Sequence, residues 1–161
     1  LRAYAPLSDV EAGDAGIGLD WRPRRDMPIH FVVERREAFG AGGRSAFSAF
    51  AYAGASYPAP QGGRIDLYGQ TGIVGARSRD AFADGVAIAS WSLGGRGDTF
   101  RLGAGIWAAA QPGVSRVDIG PHISVRPRAD TPLAVSLDWR QRVAGNAAPA
   151  SGPALTLSAG F

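Results

Sequence analysis

His122-Ile123-Ser124 sets an imidazole and a hydroxyl two positions apart, and on an extended strand that spacing puts both on one face. A general base beside a nucleophile has this arrangement, but the chemistry also needs a third group to orient the histidine. The pair shares its face with Arg116, Asp118 and Arg126, so polar lining is the expectation for both residues. His30 is the second histidine, and neither histidine has companions at metal-ligand spacing. Cysteine is absent, which removes thiolate metal sites, disulfides and cysteine nucleophiles together. Glu34, Asp66, Asp118 and Asp138 offer carboxylates for glycoside hydrolysis, yet a general acid needs a raised pKa, and abundant arginine lowers it. Arg96-Gly97-Asp98 matches an adhesion tripeptide inside a glycine turn, and chance accounts for it. Gly94-Gly95-Arg96-Gly97 lacks the Lys-Ser/Thr and the following helix of a phosphate loop. No cofactor, no metal and no enzymatic role are expected.

At 161 residues the chain falls in the one-domain range. Its 23 glycines are about twice the usual ~7%. All 17 basic residues are arginines, interleaved with 14 acids to a formal net charge of +3. A nucleic-acid surface needs clustered positive charge. The dense run Arg22, Arg24 and Arg25 is bracketed by Asp20 and Asp26, so nucleic acid is not an expected partner. The charge-free stretches 45–63 and 143–161 are broken by prolines and glycines and cannot supply a ~20-residue transmembrane helix. The first residue is Leu1, without an initiator methionine or a leader, so a mature form or a piece of a longer protein is expected.

The dominant hydrophobic period is two. Val117, Ile119, Pro121, Ile123 and Val125 alternate with Arg116, Asp118, His122, Ser124 and Arg126. Leu133, Val135, Leu137 and Trp139 alternate with Ser136, Asp138 and Arg140, and Leu155, Leu157, Ala159 and Phe161 with Thr156, Ser158 and Gly160. Weaker versions run through 17–22, 29–34, 64–75 and 100–108. The stretch 45–57 is strand-like with unclear facing. Residues 81–93 are strand-like too, with an apparent change of phase near Ser90 that a bulge would explain. Residues 1–5 make a tenth candidate. Pro- and Gly-rich turns separate the segments, and the count closes without a helix.

An alternating all-β chain of this size forms an up-and-down antiparallel barrel with about ten strands, between eight and ten or part of a larger barrel. The apolar set of the last three strands carries no charge, whereas the opposite set holds Arg116, Asp118, Arg126, Asp138, Arg140 and Arg142. That asymmetry predicts a transmembrane barrel whose charged set lines the lumen, where arginine–carboxylate pairs fit a narrow interior. Asp20, Arg22, Glu34, Arg36, Asp66, Arg101 and His122 join the lumen set. Ile17, Leu19, Trp21, Val117, Ile119, Ile123, Val125, Leu137, Trp139, Leu155 and Leu157 face lipid. Leu19-Asp20-Trp21-Arg22 recurs as Leu137-Asp138-Trp139-Arg140, predicting a shared role in which Trp faces out while Asp and Arg face in and pair.

The ending Leu155-Thr156-Leu157-Ser158-Ala159-Gly160-Phe161 resembles the C-terminal signal of bacterial outer-membrane β-barrels, which implies that Phe161 is read by the barrel-assembly machinery. Asp138-Trp139-Arg140 with Val143-Ala144-Gly145-Asn146 resembles the C-terminal barrel of large surface proteins, the class of polysaccharide-export porins and phage-adsorption proteins. The resemblance implies an outer-membrane location, contact with membrane lipid and lipopolysaccharide, a phage or polysaccharide ligand, and Leu1 as a truncation point. It also implies a periplasmic C-terminus, with connections near 8–14, 40–44, 76–80, 111–115 and 145–153 outside the cell. His122-Ile123-Ser124 is similar to the His-x-Ser arrangement of outer-membrane phospholipases and lipid A deacylases, with Asp138 as the corresponding third group. Those enzymes act from the outer barrel surface, whereas this pair shares the charged face. Two other functions stay open: a lipid esterase using His122 and Ser124, and a soluble lipocalin-like barrel in which Ile119, Ile123, Val135 and Leu137 line an apolar ligand cavity.

Overall fold

The computed structural model describes residues 2–4, 14–38, 45–75, 80–94, 99–126, 133–148 and 151–159. These form strands β1 (Arg2–Tyr4), β2 (Asp14–Trp21), β3 (Ile29–Ala38), β4 (Ala46–Ala59), β5 (Gly63–Val74), β6 (Asp80–Ser92), β7 (Phe100–Gln111), β8 (Val114–Val125), β9 (Leu133–Gly145) and β10 (Gly152–Ala159). There is no helix among the described residues. The strands lie in one sheet in sequence order, β1 to β10, so each neighbour in the chain is a neighbour in space. The ladders of β1 to β4 and of β7 to β10 are antiparallel. Short turns enforce this order: Gln61 and Gly62 both have positive φ (58° and 73°) between β4 and β5, and such turns match the right-handed twist of a hairpin.

The chain divides into two compact units, one of Leu1–Ala53 with Gln70–Ala83 and the other of Gly54–Gly69 with Asp84–Phe161. In the first, Val32, Glu34, Ser48 and Phe50 are buried, and Ser48 donates to the Glu34 carboxylate at 3.1 Å. In the second, Ser90, Arg101, Trp107, Asp118, His122 and Asp138 are buried.

Two strand ends differ from their turn signals. β4 runs through Pro58, and β10 begins at Gly152, ahead of Pro153, which pairs with Trp139. Proline is tolerated in a strand where no ladder donor is needed, as on an edge strand such as β10. The phase of β6 is also corrected. Val86 and Ile88 line the same cavity as Arg101 and His122, Ser90 is buried against Arg101, and Trp91 and Leu93 are exposed. Alternation therefore continues through Ser90, and the apparent change of phase is two apolar residues on the polar face. A register shift does occur on β8, between Val117 and Asp118. Opposite it, Val117 pairs with Ala144 and Asp118 with Arg142, so Val143 is the extra residue of a bulge.

The expected closure into a barrel is not seen among the described residues, where the sheet order runs from β1 to β10 and no ladder joins these two strands. β1 has three residues, all paired with β2. Phe161, the expected assembly signal, lies outside the described residues, as does Arg96-Gly97-Asp98.

The two faces have inverted polarity. Among the described residues the buried set is seven polar or charged side chains against three apolar ones. Every predicted lipid-facing residue is exposed, save Val117 and Val125, which are half-buried; Leu19 reaches 81% exposure and Leu155 74%.

Candidate functional site

The charged face of β5 to β10 is built by register. His122 on β8 is directly opposite Asp138 on β9, and its Nδ1 lies 2.6 Å from Asp138 Oδ1, with both side chains buried. The second oxygen of Asp138 accepts from Arg140 Nη2 at 3.5 Å. Two residues along β8 from Arg116, Asp118 pairs with the Arg116 guanidinium. On β7, Arg101 donates to Ser90 Oγ at 3.0 Å and to the Ser90 carbonyl at 2.7 Å. On β5, Asp66 accepts from Arg64 Nε at 2.7 Å and from Ser56. Carboxylate, guanidinium and imidazole thus alternate along neighbouring strands, which makes their burial tolerable.

Trp107 shares this face, in phase with Arg101, and its indole carries the Arg140 guanidinium 4.8 Å above its centroid. Gly105 makes room for it, since a β-carbon there would run into the Trp107 ring. At Gly120 the Trp139 carbonyl oxygen approaches so closely that any side chain would overlap it, which lets β8 and β9 close up beside the bulge.

Two cavities open on the face. One, of about 500 Å³, is bounded by Tyr68, Asp84, Val86, Trp107, Arg116, Asp118, Arg140 and Pro153 among others. The other, of about 320 Å³, is bounded by Arg64, Asp66, Val86, Ile88, Arg101, Trp107, His122, Ser124, Asp138, Arg140 and Ser158 among others. Each draws residues from all six strands β5 to β10. Six flat strands at ~4.8 Å spacing would span about 24 Å, so this part of the sheet rolls around its charged face. Among the described residues, Asp118 Oδ1 and Arg140 Nε are buried side-chain atoms without a hydrogen-bond partner. Both residues line the larger cavity, with these two atoms turned away from it.

The predicted lumen residues are distributed as follows. Glu34, Arg101, Asp118, His122 and Asp138 are buried, and Asp66, Arg116, Arg126, Arg140 and Arg142 are half-buried. Asp20 is exposed, but it holds His30 Nδ1 at 2.9 Å and the Tyr52 hydroxyl at 2.8 Å. Arg22 lies past the end of β2 and donates to the Met27 and Arg25 carbonyls, bracing the turn. Arg36 lies in β3. The recurring tetrapeptide has a common function in its aspartates: each hydrogen-bonds a histidine of the adjacent strand, while Trp21 and Trp139 are exposed. Its arginines diverge, one to the turn and one to Asp138.

Of the constellation His122, Ser124 and Asp138, the histidine–carboxylate half is assembled. No hydrogen bond joins Ser124 to His122 among the described residues. They contain no group of three or more metal-ligating side chains. Trp107, Ser90, Ser48 and Tyr68 are not among the expected lumen residues, although phase with Arg101 alone assigns Trp107 to the charged face. The apolar residues that the lipocalin-like alternative needs inside, Ile119, Ile123, Val135 and Leu137, line neither cavity.

No protein-family model, curated protein or solved structure matches the chain.

Proposed function

We propose that the chain forms the wall of a bacterial outer-membrane β-barrel, acting as a surface scaffold or a narrow passage and forming the barrel end of an export or adsorption protein. The observation that carries this reading is the inversion of polarity: Ile17, Leu19, Leu155 and Leu157 are at least 70% exposed, while Arg101, Asp118, His122 and Asp138 are buried. Large apolar side chains exposed in this number need an apolar partner, and acyl chains supply one for strands whose charges are on the other side. Strands β4 to β9 have 12 to 14 residues, enough for the ~9–11 that a tilted spanning strand uses. Exposed Trp21, Phe31, Tyr57, Trp91 and Phe100 stand near the turns that follow β2, β4 and β6, where an aromatic girdle belongs. In hydrocarbon an open sheet edge is untenable, so insertion would bring the two edges together or pair them with further strands.

Membrane lipid and lipopolysaccharide are then the partners of the outer face and the barrel-assembly machinery that of the final strand. A polysaccharide or phage component is the ligand class at the exposed connections. The test is refolding of the purified chain into phospholipid vesicles. Co-flotation with the vesicles and a heat-modifiable shift in gel mobility are expected; a monodisperse species in detergent-free buffer that ignores vesicles would overturn the reading in favour of a soluble barrel.

A further inference from the structure

We infer that Trp107, Arg140 and Val86 form a septum that closes the charged passage of this chain, an inference that rests on the barrel reading above. The two cavities share these three residues and no others. The larger cavity is bounded by the end of β7, the start of β8 and the start of β10, the smaller one by the starts of β5, β7 and β9 and the end of β10. They therefore occupy opposite ends of the same strands, and the shared residues stand between them.

The septum is anchored from both sides. Trp107 is 8% exposed and lies over Gly105, whose missing side chain leaves the ring its place. The Arg140 guanidinium covers the indole at 4.8 Å and is tied back to Asp138, which the His122 imidazole holds at 2.6 Å. An aromatic ring, a valine and a guanidinium already stacked on the ring and held by Asp138 offer a hydrated cation little to replace its water shell. The chambers on either side, with Asp118 and Arg116 in one and Asp66, Arg101 and His122 in the other, offer it a good deal. The barrier to permeation is thus placed at the three shared residues.

The experiment is planar-bilayer conductance in potassium chloride of the refolded chain, with Trp107→Ala, Val86→Ala and Trp107→Phe beside the parent. Heat-modifiable mobility serves as the check of folding. The parent and Trp107→Phe are expected to stay at the lipid baseline, while Trp107→Ala gives discrete conductance steps and Val86→Ala smaller ones. Folded Trp107→Ala at the baseline, or a parent that conducts as well as the variant, overturns the septum and leaves the barrel reading intact. If Trp107→Ala does not fold, Val86→Ala decides on the same criterion. A parent that never enters the bilayer overturns both.

Discussion

Replacing Ile119 with arginine puts the facing of the sheet under a quantitative test. Ile119 is the sixth of the 12 residues of β8 and is 44% exposed on the face opposite Asp118. At a rise of ~3.4 Å per residue it is about 17 Å along the strand from Val114. With a tilt near ~45° this becomes a depth of about 12 Å, close to the middle of an apolar band ~25 Å tall. An arginine at that depth costs about 2–4 kcal/mol, a factor of roughly 30 to 1000 in the folding equilibrium. Leu133 is the first residue of β9, and Leu133→Arg at the boundary costs about 0–1 kcal/mol. The assay is equilibrium denaturant titration in phospholipid vesicles of both variants and the parent. In water a substitution at either exposed site moves stability by only about 0.5 kcal/mol. Equal and small effects at Ile119 and Leu133 would refute the assignment of the apolar face to lipid.

Asp138→Ala removes the partner of His122 and the carboxylate beside Arg140, and a broken buried pair costs about 3 kcal/mol in the same titration. Asp20→Ala removes the equivalent contacts to His30 and Tyr52 from an exposed site, and its loss should stay below about 1 kcal/mol. Gly120→Val forces a side chain into the Trp139 carbonyl, which the β8–β9 ladder holds in place, so the heat-modifiable band should disappear. Ser124 makes no hydrogen bond to His122 among the described residues, and on the scaffold reading parent and Ser124→Ala should hydrolyse a p-nitrophenyl ester at the same background rate; a rate lost only in the variant would support the esterase alternative.

The parts of this fold that were legible in the sequence are those where charge and period agree. On β8 and β9 the arginines and acids fall on one phase and the isoleucines, leucines and Trp139 on the other, and the structure keeps both sets apart. On β6 the two signals disagree, because Val86 and Ile88 occupy the polar face, and reading hydropathy alone made the strand seem to change phase. Trp107 alternates in phase with Arg101 in the sequence itself, yet its apolar type keeps it off a lumen list chosen by charge. Arg22 falls outside the strand that its phase suggests, because residue type says nothing of where a strand stops; β2 ends at Trp21, and the next side chain braces a turn. The bulge at Val143 and the open edges depend on pairing between strands, which no local pattern encodes.

The polar atoms on the charged face bear on how its ion pairs act. An unpaired buried polar atom costs about 1–3 kcal/mol, and Asp118 Oδ1 and Arg140 Nε together would be a heavy load for a small sheet if the face were dry. Both residues border the cavity of about 500 Å³, ample for several waters at ~30 Å³ each. Neither atom itself touches solvent, but the Arg140 side chain is 31% exposed, and solvent there softens its attraction to Asp138, which places the cost of losing Asp138 at the lower end of the buried range. The same reasoning separates Trp107 from its surroundings. Its indole is covered by Arg140 on one ring face and is only 8% exposed, so an apolar group stands among the residues that divide the charged face.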